Sequence, residues 1–558
     1  MKRIVFSLLL ASLAATMSAQ VLWIESADHY SKPKSLDLSA LDSVVFRYAQ
    51  VRTYKDGTMT NYKFSDFLGY TGDGQSVAMS FNEPTQRLIW KPTSADNNYN
   101  NDYTNPASQW SFKHSKESEH WIVFWDKRFG DDPNASTVPS NMRVNVDDLL
   151  KKAEQFYATN VDKLKMADLG EAKSRLDDYK MMIYLLYDDG WTAVGSGFDD
   201  MVGTLWVTPS TCHPVGSTIA HETGHCFQYQ VACDYRKNGV SNYLQRGWRY
   251  GFGSNGSGGN AFWEQCAQWQ AMQDYPSEAF GYHTSVWLAN YHRHVCHEWM
   301  RYASYWWPYQ LVEKHGNEAY GQLWRGSKYP EDPLETYTRL FCDGNWDTFW
   351  DEYFDYATKM QNYQFEAIHQ YLNTSARNYK TSLYKTAADG VDSYQVAYAS
   401  CPETSGINFI RLTGFTQGSE VKVDFTGLNP GDALHAADPG KSWNGDPADG
   451  ANANNFTKVS KYNTAGRAAD RGWHYAFVSV QGSGANSTTT VSDVCKDADG
   501  SITYTVPQGT IVLSLCIVAT PKNYTRHAWD EKDINDVQWP YKVTFTGCKP
   551  TTAQILNN

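Results

Sequence analysis

Residues 216–230 read GSTIAHETGHCFQYQ, and inside them His221-Glu222-Thr223-Gly224-His225 has the order H-E-x-x-H. In an α-helix, residues four apart are separated by about 40° of net rotation and about 6 Å of rise, so His221 and His225 offer two imidazoles from one face. Glu222 is turned away by about 100°, within reach of a water held in the open position of a metal ion that the imidazoles bind. Two ligands and an adjacent base suit a hydrolytic metal centre, and Zn2+ is the ion expected. The alternative is a chance pattern on the outer face of an amphipathic helix.

A catalytic zinc needs a third protein ligand. After His225 the next His or Glu is Glu264, in NAFWEQCAQWQAMQ (260–273), which has its own helical period. Asp234 is the only other carboxylate in the interval and stays open as an alternative ligand.

The flanks place this motif in a larger frame. HWIVFWD (120–126), KMMIYLLYDDG (180–190) and GTLWVTP (203–209) read as strands, and residues 146–166 carry apolar side chains at helical spacing. GTLWVTP, with Trp206, is expected to be an edge strand along which an extended peptide would lie. From 385 onward, INFIRLTG, EVKVDFTG, HYAFVSVQG, SITYTVP, IVLSLCIVA and YKVTFTG suggest a C-terminal β-sandwich.

The expected fold class is multidomain α+β. A signal peptide (1–19) is followed by a small N-terminal β-rich region (20–92), a linker (93–106), a zincin-like catalytic domain (107–384) and a β-sandwich (385–558). Lys2 and Arg3 before the apolar run Ile4 to Leu13, then small residues to Ala19, are the order of a secretory leader, so a secreted or periplasmic location is expected. No later run is long and apolar enough to span a bilayer. A net charge of −12 without any Lys/Arg-rich run argues against nucleic acid as a partner.

The motif His221-Glu222-Thr223-Gly224-His225 with Gln228 resembles the H-E-x-G-H-x-x-Q of the enhancin-like, mucin-targeting peptidases, and the helical Glu264 behind it resembles the gluzincin clan of zinc peptidases. The resemblance implies His221, His225 and Glu264 as metal ligands, Glu222 as general base, and a protein or glycoprotein substrate with glycan contact. Many gluzincins carry an Asp four residues after the ligand Glu; here Gln268 stands there, a neutral acceptor for an imidazole N–H. The interval from His225 to Glu264 is also longer than in the enhancin-like pattern.

Peptide hydrolysis needs a donor for the developing oxyanion, and Tyr282, His283, Tyr291 and His292 are the candidates. His292, His294, His297 and Glu298 have the order H-x-x-H-E rather than that of the inverted zincins, and are read as a helical surface. WNGDPADGANANN (443–455) and KDADG (496–500) are calcium-like in composition but lack EF-hand periodicity, and read as turns. The ten cysteines include no C-x-x-C pair, leaving buried thiols and disulfides as equal readings.

An aromatic share of 15% would suit both packed cores and sugar-stacking platforms, with Trp206 and Trp263 the two tryptophans nearest the chemistry. Two other functions therefore stand beside the peptidase: a glycan-binding or adhesive protein with a structural metal, and a zinc-assisted carbohydrate-active hydrolase.

Overall fold

In a computed structural model of the chain, the described residues are 102–170, 172–240, 248, 260–281, 283–297, 300–386, 391–430, 432, 466–527 and 537–556, with shorter stretches between 21 and 93. The leader read at 1–19, Tyr282, Glu298 and the 443–455 stretch lie outside them. The chain forms two compact units, Met1–Gln155 with Leu169–Val215, and Phe156–Asp168 with Gly216–Asn558. The segment expected as one catalytic domain, 107–384, is thus shared between both. Together they are α+β, with helices and several antiparallel and mixed sheets.

In the first unit, β1 (Val21–Glu25) pairs with β2 (Lys34–Asp37), while β3 (Ser43–Arg47), β4 (Gln50–Lys55) and β5 (Thr58–Lys63) form an antiparallel meander. The short β6 (Val77–Ala78) adds to β1 in parallel. A five-stranded sheet follows, made of β7 (Ser115–Glu117), β8 (Trp121–Trp125), β9 (Met181–Leu185), β10 (Ala193–Phe198) and β11 (Val202–Val207) in the order β10-β11-β9-β8-β7. Every residue of β8 and β9 is buried, as continuous apolar runs at the centre of a parallel pairing should be. α1 (Val146–Ala158) lies in the crossover between them.

Two expectations are corrected here. β11, the GTLWVTP strand, is not an edge: β9 pairs with it in parallel on one side and β10 antiparallel on the other, so among the described residues β10 is the outermost strand on that side. Ala193–Phe198 was hidden from a hydrophobicity reading by its glycines. Trp206 packs on Phe198 and Tyr184, at centroid distances of 5.1 and 6.3 Å, as part of the sheet's aromatic core. The linker read at 93–106 is also packed at its far end. Tyr103 is buried, stacks on Phe124 at 4.6 Å and shares a 2.6 Å hydroxyl hydrogen bond with Tyr184.

The second unit begins with α2 (Ser217–Lys237) and α3 (Asn260–Asp274). Five further helices follow: α4 (His283–Asn290), α5 (Trp307–His315), α6 (Glu318–Arg325), α7 (Pro333–Phe341) and α8 (Trp346–Met360). α7 starts at a capping box, in which the Asp332 carboxylate accepts from the Glu335 N–H and Glu335 accepts from that of Asp332.

The C-terminal region is a two-sheet sandwich, as its alternating runs suggest. β12 (Leu383–Lys385), β13 (Asp392–Val396), β14 (Ile407–Thr413), β15 (Glu420–Gly427), β16 (Trp473–Gln481), β17 (Thr488–Val491), β18 (Asp499–Thr505), β19 (Thr510–Ala519), β20 (Tyr541–Thr546), β21 (Lys549–Pro550) and β22 (Ile555–Leu556) divide as β18-β15-β20-β13-β12-β22 and β17-β16-β19-β14-β21. Val421, Val423 and Phe425 of β15 point inward at every second residue and meet Tyr475, Phe477, Leu513 and Leu515 of the facing sheet. β16 is buried at eight consecutive positions, because α8 covers its outer face through the Phe354–His474 ring contact and a 3.1 Å His474–Asp351 pair. All ten cysteines stand as thiols rather than disulfides.

His474 makes the fold sensitive to acid. Burial outweighs the opposing pull of Asp351 and lowers its pKa to about 4. Below its ordinary value of about 6.5 the unfolded chain binds a proton that the folded chain refuses, so stability rises with pH and is lost as pH falls from about 6.5 towards 4. The loss attributable to this residue is on the order of 3 kcal/mol. Urea midpoints between pH 7.5 and 4.5 should fall less steeply in His474→Gln than in the parent; parallel slopes would contradict this assignment.

Candidate metal centre

From Ile219 to Cys233, every residue of α2 except Glu222 is buried. A chance motif on a surface helix would leave an exposed polar stripe, whereas this helix runs through the interior of its unit. His221, His225 and Gln228 are therefore buried polar groups and need partners.

The partners come chiefly from α3. One oxygen of the Glu264 carboxylate lies 3.1 Å from Nε2 of His221 and 3.1 Å from Nε2 of His225. The His221 and His225 rings are 4.8 Å apart and almost perpendicular. Among the described residues these three form a group able to hold a metal ion, with ligand atoms all within 4.8 Å of one another. Burial raises the Glu264 pKa, but the adjacent imidazoles, His225 foremost, outweigh this and hold the carboxyl well below its usual range. Asp234, the other candidate ligand, accepts a 3.0 Å hydrogen bond from Gln230 and is not part of the group.

Both imidazoles are oriented from behind by neutral amides. Nδ1 of His221 meets the Gln268 carbonyl oxygen at 3.2 Å, as expected for a glutamine at that position. Nδ1 of His225 meets the Gln228 carbonyl oxygen at 2.9 Å, a role the sequence reading left unassigned although Gln228 stood in the motif. Each contact gives the glutamine oxygen a ring N–H at Nδ1, which makes Nε2 the nitrogen available as a ligand. The Trp263 indole N–H donates to Nε2 of His225 at 3.1 Å, which marks that nitrogen as an acceptor. Behind them, the Gln228 amide donates to Gln270 and to the Trp263 carbonyl, and Gln270 also receives the Tyr320 hydroxyl and donates to Asn160. This buried network ties α2, α3 and the 156–168 segment together.

Glycine at position 224 is what lets the two helices come so close. A Cβ there would stand 3.1 Å from the Ala267 Cα and 3.0 Å from the Gln270 carbonyl oxygen. A mid-helix glycine costs about 1 kcal/mol relative to alanine. Here that cost is offset by bringing Glu264, one turn before Gln268, level with the two histidines.

One side of the triad is flanked by aromatic and ionisable groups. The Tyr302 ring centroid is 6.1 Å from that of His221, and His283 stacks on Tyr302 at 5.7 Å. Burial, then the charge of Glu264, raise the Tyr302 pKa, with Glu222 adding a smaller push, so the phenol keeps its proton. Burial, then His221, lower the pKa of His283 and favour the neutral ring. A hollow of about 410 Å³ opens beside them, lined by Gln268, Met272, Phe280, His283 and Tyr305, with Glu278 at its rim.

Of the expected oxyanion donors among the described residues, His283 is the one found beside the triad. Tyr291 is spent on packing against the sandwich, with its hydroxyl on Thr381 at 3.2 Å and its ring against Tyr379 and Phe409. His292 is buried and its carbonyl receives the Glu403 N–H at 2.8 Å. The helical surface read for His292, His294 and His297 is corrected: all three are buried, next to the buried Arg293–Glu403 ion pair, and His294 stacks on His527 at 4.4 Å. Glu403 is remote in sequence, so nothing local announced that burial. Tyr302 was missed because no spacing rule distinguishes it among 37 tyrosines.

The fold and site define an α+β protein that carries a His-His-Glu constellation on two packed helices. The chain belongs to a family of unknown function, DUF6055, whose profile matches residues 82–552. No curated protein matches it. Among solved structures, a Clostridium thermocellum endo-1,4-beta-D-xylanase 10B, determined as its CBM22-1-GH10 modules with xylohexaose, is similar over 32% of this chain at 11% identity and a TM-score of 0.15. This chain spans about a quarter of that one (26%), and a likeness so slight carries no argument.

Gly224→Ala should separate α2 from α3. The expected result is a stability loss of about 1–3 kcal/mol, from overpacking against the Ala267 backbone, together with weaker Zn2+ binding in a chelator competition. Unchanged affinity would show that the close approach is not what sets the triad.

Proposed function

We propose that this protein is a zinc-dependent peptidase acting on protein or glycoprotein substrates. The observation that carries the reading is the convergence of His221 Nε2, His225 Nε2 and a Glu264 oxygen, with Glu222 the sole incompletely buried residue between Ile219 and Cys233 of the same helix. The donor set fits zinc. Bonds of about 2.0–2.1 Å in a tetrahedral arrangement need donors about 3.3 Å apart; both histidine–glutamate separations are 3.1 Å, and all three ligand atoms lie within 4.8 Å of one another.

When bound, the ion would supply a Lewis acid for the scissile carbonyl and lower the pKa of a water. Gln268 and Gln228 hold the imidazoles in register. Glu222 takes the proton from the attacking water and delivers it to the leaving amine. Tyr302, protonated and beside Glu264 and Glu222, donates its hydroxyl to the oxygen that gains charge. The hollow next to Gln268 and His283 receives a substrate side chain, and the Glu278 carboxylate, held by a 2.6 Å hydrogen bond from Ser217, favours a basic one.

Glu222→Gln should retain zinc and lose turnover by roughly 10²–10⁴-fold, the usual worth of a general base. The measurement is mass spectrometry of new N-termini after incubation with an O-glycosylated mucin and an unglycosylated protein. Cleavage by the variant at the parent's rate would remove Glu222 from the role, and no cleavage by either protein would remove the peptidase reading.

Tyr302→Phe should lower kcat by roughly 10²–10³-fold with little change in KM, as for a donor that acts only in the transition state. Steady-state kinetics on a cleaved peptide decides this. A pure KM effect would make Tyr302 a binding residue.

A further inference from the structure

A second hollow, of about 330 Å³, lies where the turn at Thr374–Arg377 meets β14 and β19 of the sandwich. Its lining is Thr374, Ser375, Arg377, Asn378, Arg411 and Val512, with two guanidinium side chains and no carboxylate. It belongs to a chain of net charge −12, where an acidic partner for an arginine would be easy to supply.

The Arg377 guanidinium and the Arg411 backbone are each held in place. Arg377 is only 9% exposed and donates to the Asn362 side-chain oxygen at 3.0 Å, a neutral acceptor. The charged neighbour acting on it is Arg411, a second cation, and burial together with that repulsion lowers the Arg377 pKa. Arg411 is fixed through its backbone: its N–H donates to Gln554 at 3.0 Å, and its carbonyl receives the Gln554 amide at 2.7 Å and the Thr551 N–H at 3.0 Å. Two like charges thus share one hollow whose lining holds no carboxylate to neutralise them.

Such an arrangement is costly when empty and favourable when an anion enters. Guanidinium forks bind carboxylate, sulfate and phosphate oxygens in pairs, and the Thr374 hydroxyl and the Asn378 amide add uncharged donors to the lining. The volume is at the small end of ligand pockets and suits one compact group rather than a polymer. We propose that Arg377 and Arg411 form an oxyanion-binding site for a carboxylate, sulfate or phosphate group, free or borne on a single sugar residue. The site is separate from the His-His-Glu centre and does not depend on its chemistry.

The test is calorimetric titration and thermal unfolding of the full chain with sodium sulfate, glucuronate and glucose at ionic strength matched with sodium chloride. Saturable binding of sulfate or glucuronate, at least tenfold weaker in Arg411→Gln and intermediate in Arg411→Lys, is the expected result. In chloride alone, Arg411→Gln should unfold at the same or a higher temperature than the parent, because a repulsion is removed. Tighter glucuronate than sulfate would assign the sugar-borne source, and the reverse the free ion; both support the site. The proposal is overturned if no anion binds saturably, if affinity is equal in parent and variant, or if Arg411→Gln lowers the unfolding temperature in chloride and sulfate stabilises both proteins alike.

Discussion

The centre of this molecule depends on how closely α2 and α3 approach. Gly224 faces Ala267 and Gln270, where a methyl group would stand only 3.1 Å from the Ala267 Cα and 3.0 Å from the Gln270 carbonyl oxygen, and that contact sets the depth at which Glu264 meets the two histidines. A wider helix pair would leave a carboxylate and two imidazoles in one neighbourhood without a common point. The amide network from Gln228 through Gln270 to Asn160 and Tyr320 holds the same spacing at that contact. Packing and chemistry are therefore one constraint, imposed by a residue with no side chain.

The electrostatic character of the site follows from what stands behind the ligands. Both Nδ1 atoms rest on glutamine carbonyls, so the imidazoles are oriented without an added negative charge. A carboxylate in either place would make its histidine a stronger donor and any bound water a weaker acid. The neutral amides leave Glu264 and Glu222 as the nearby negative charges that raise the Tyr302 pKa and keep that phenol protonated.

Much of this was legible in the sequence, and the limits have physical causes. His221, Glu222 and His225 were readable because a four-residue spacing has only one meaning on a helix. Glu264 was readable because no other His or Glu intervenes, and Gln268 because it sits one turn further on. The sandwich strands announced themselves by alternation, as in Val421, Val423 and Phe425. Tyr302 and the second role of Gln228 were not legible, since each depends on tertiary placement rather than on period. The edge strand was misassigned because Ala193–Phe198 has glycines where a strand would show branched residues, so its neighbour β11 looked terminal. The burial of His294 and His297 rests on Glu403 and His527, more than a hundred residues away. No local pattern encodes such a pairing.

The most direct test of the central claim is X-ray absorption at the zinc edge of the full chain loaded with one equivalent of Zn2+. The account predicts a four-coordinate site with two imidazole nitrogens and a carboxylate oxygen at about 2.0–2.1 Å, and loss of one imidazole contribution in His225→Ala. A sulfur shell near 2.3 Å, or a spectrum unchanged by that substitution, would contradict it.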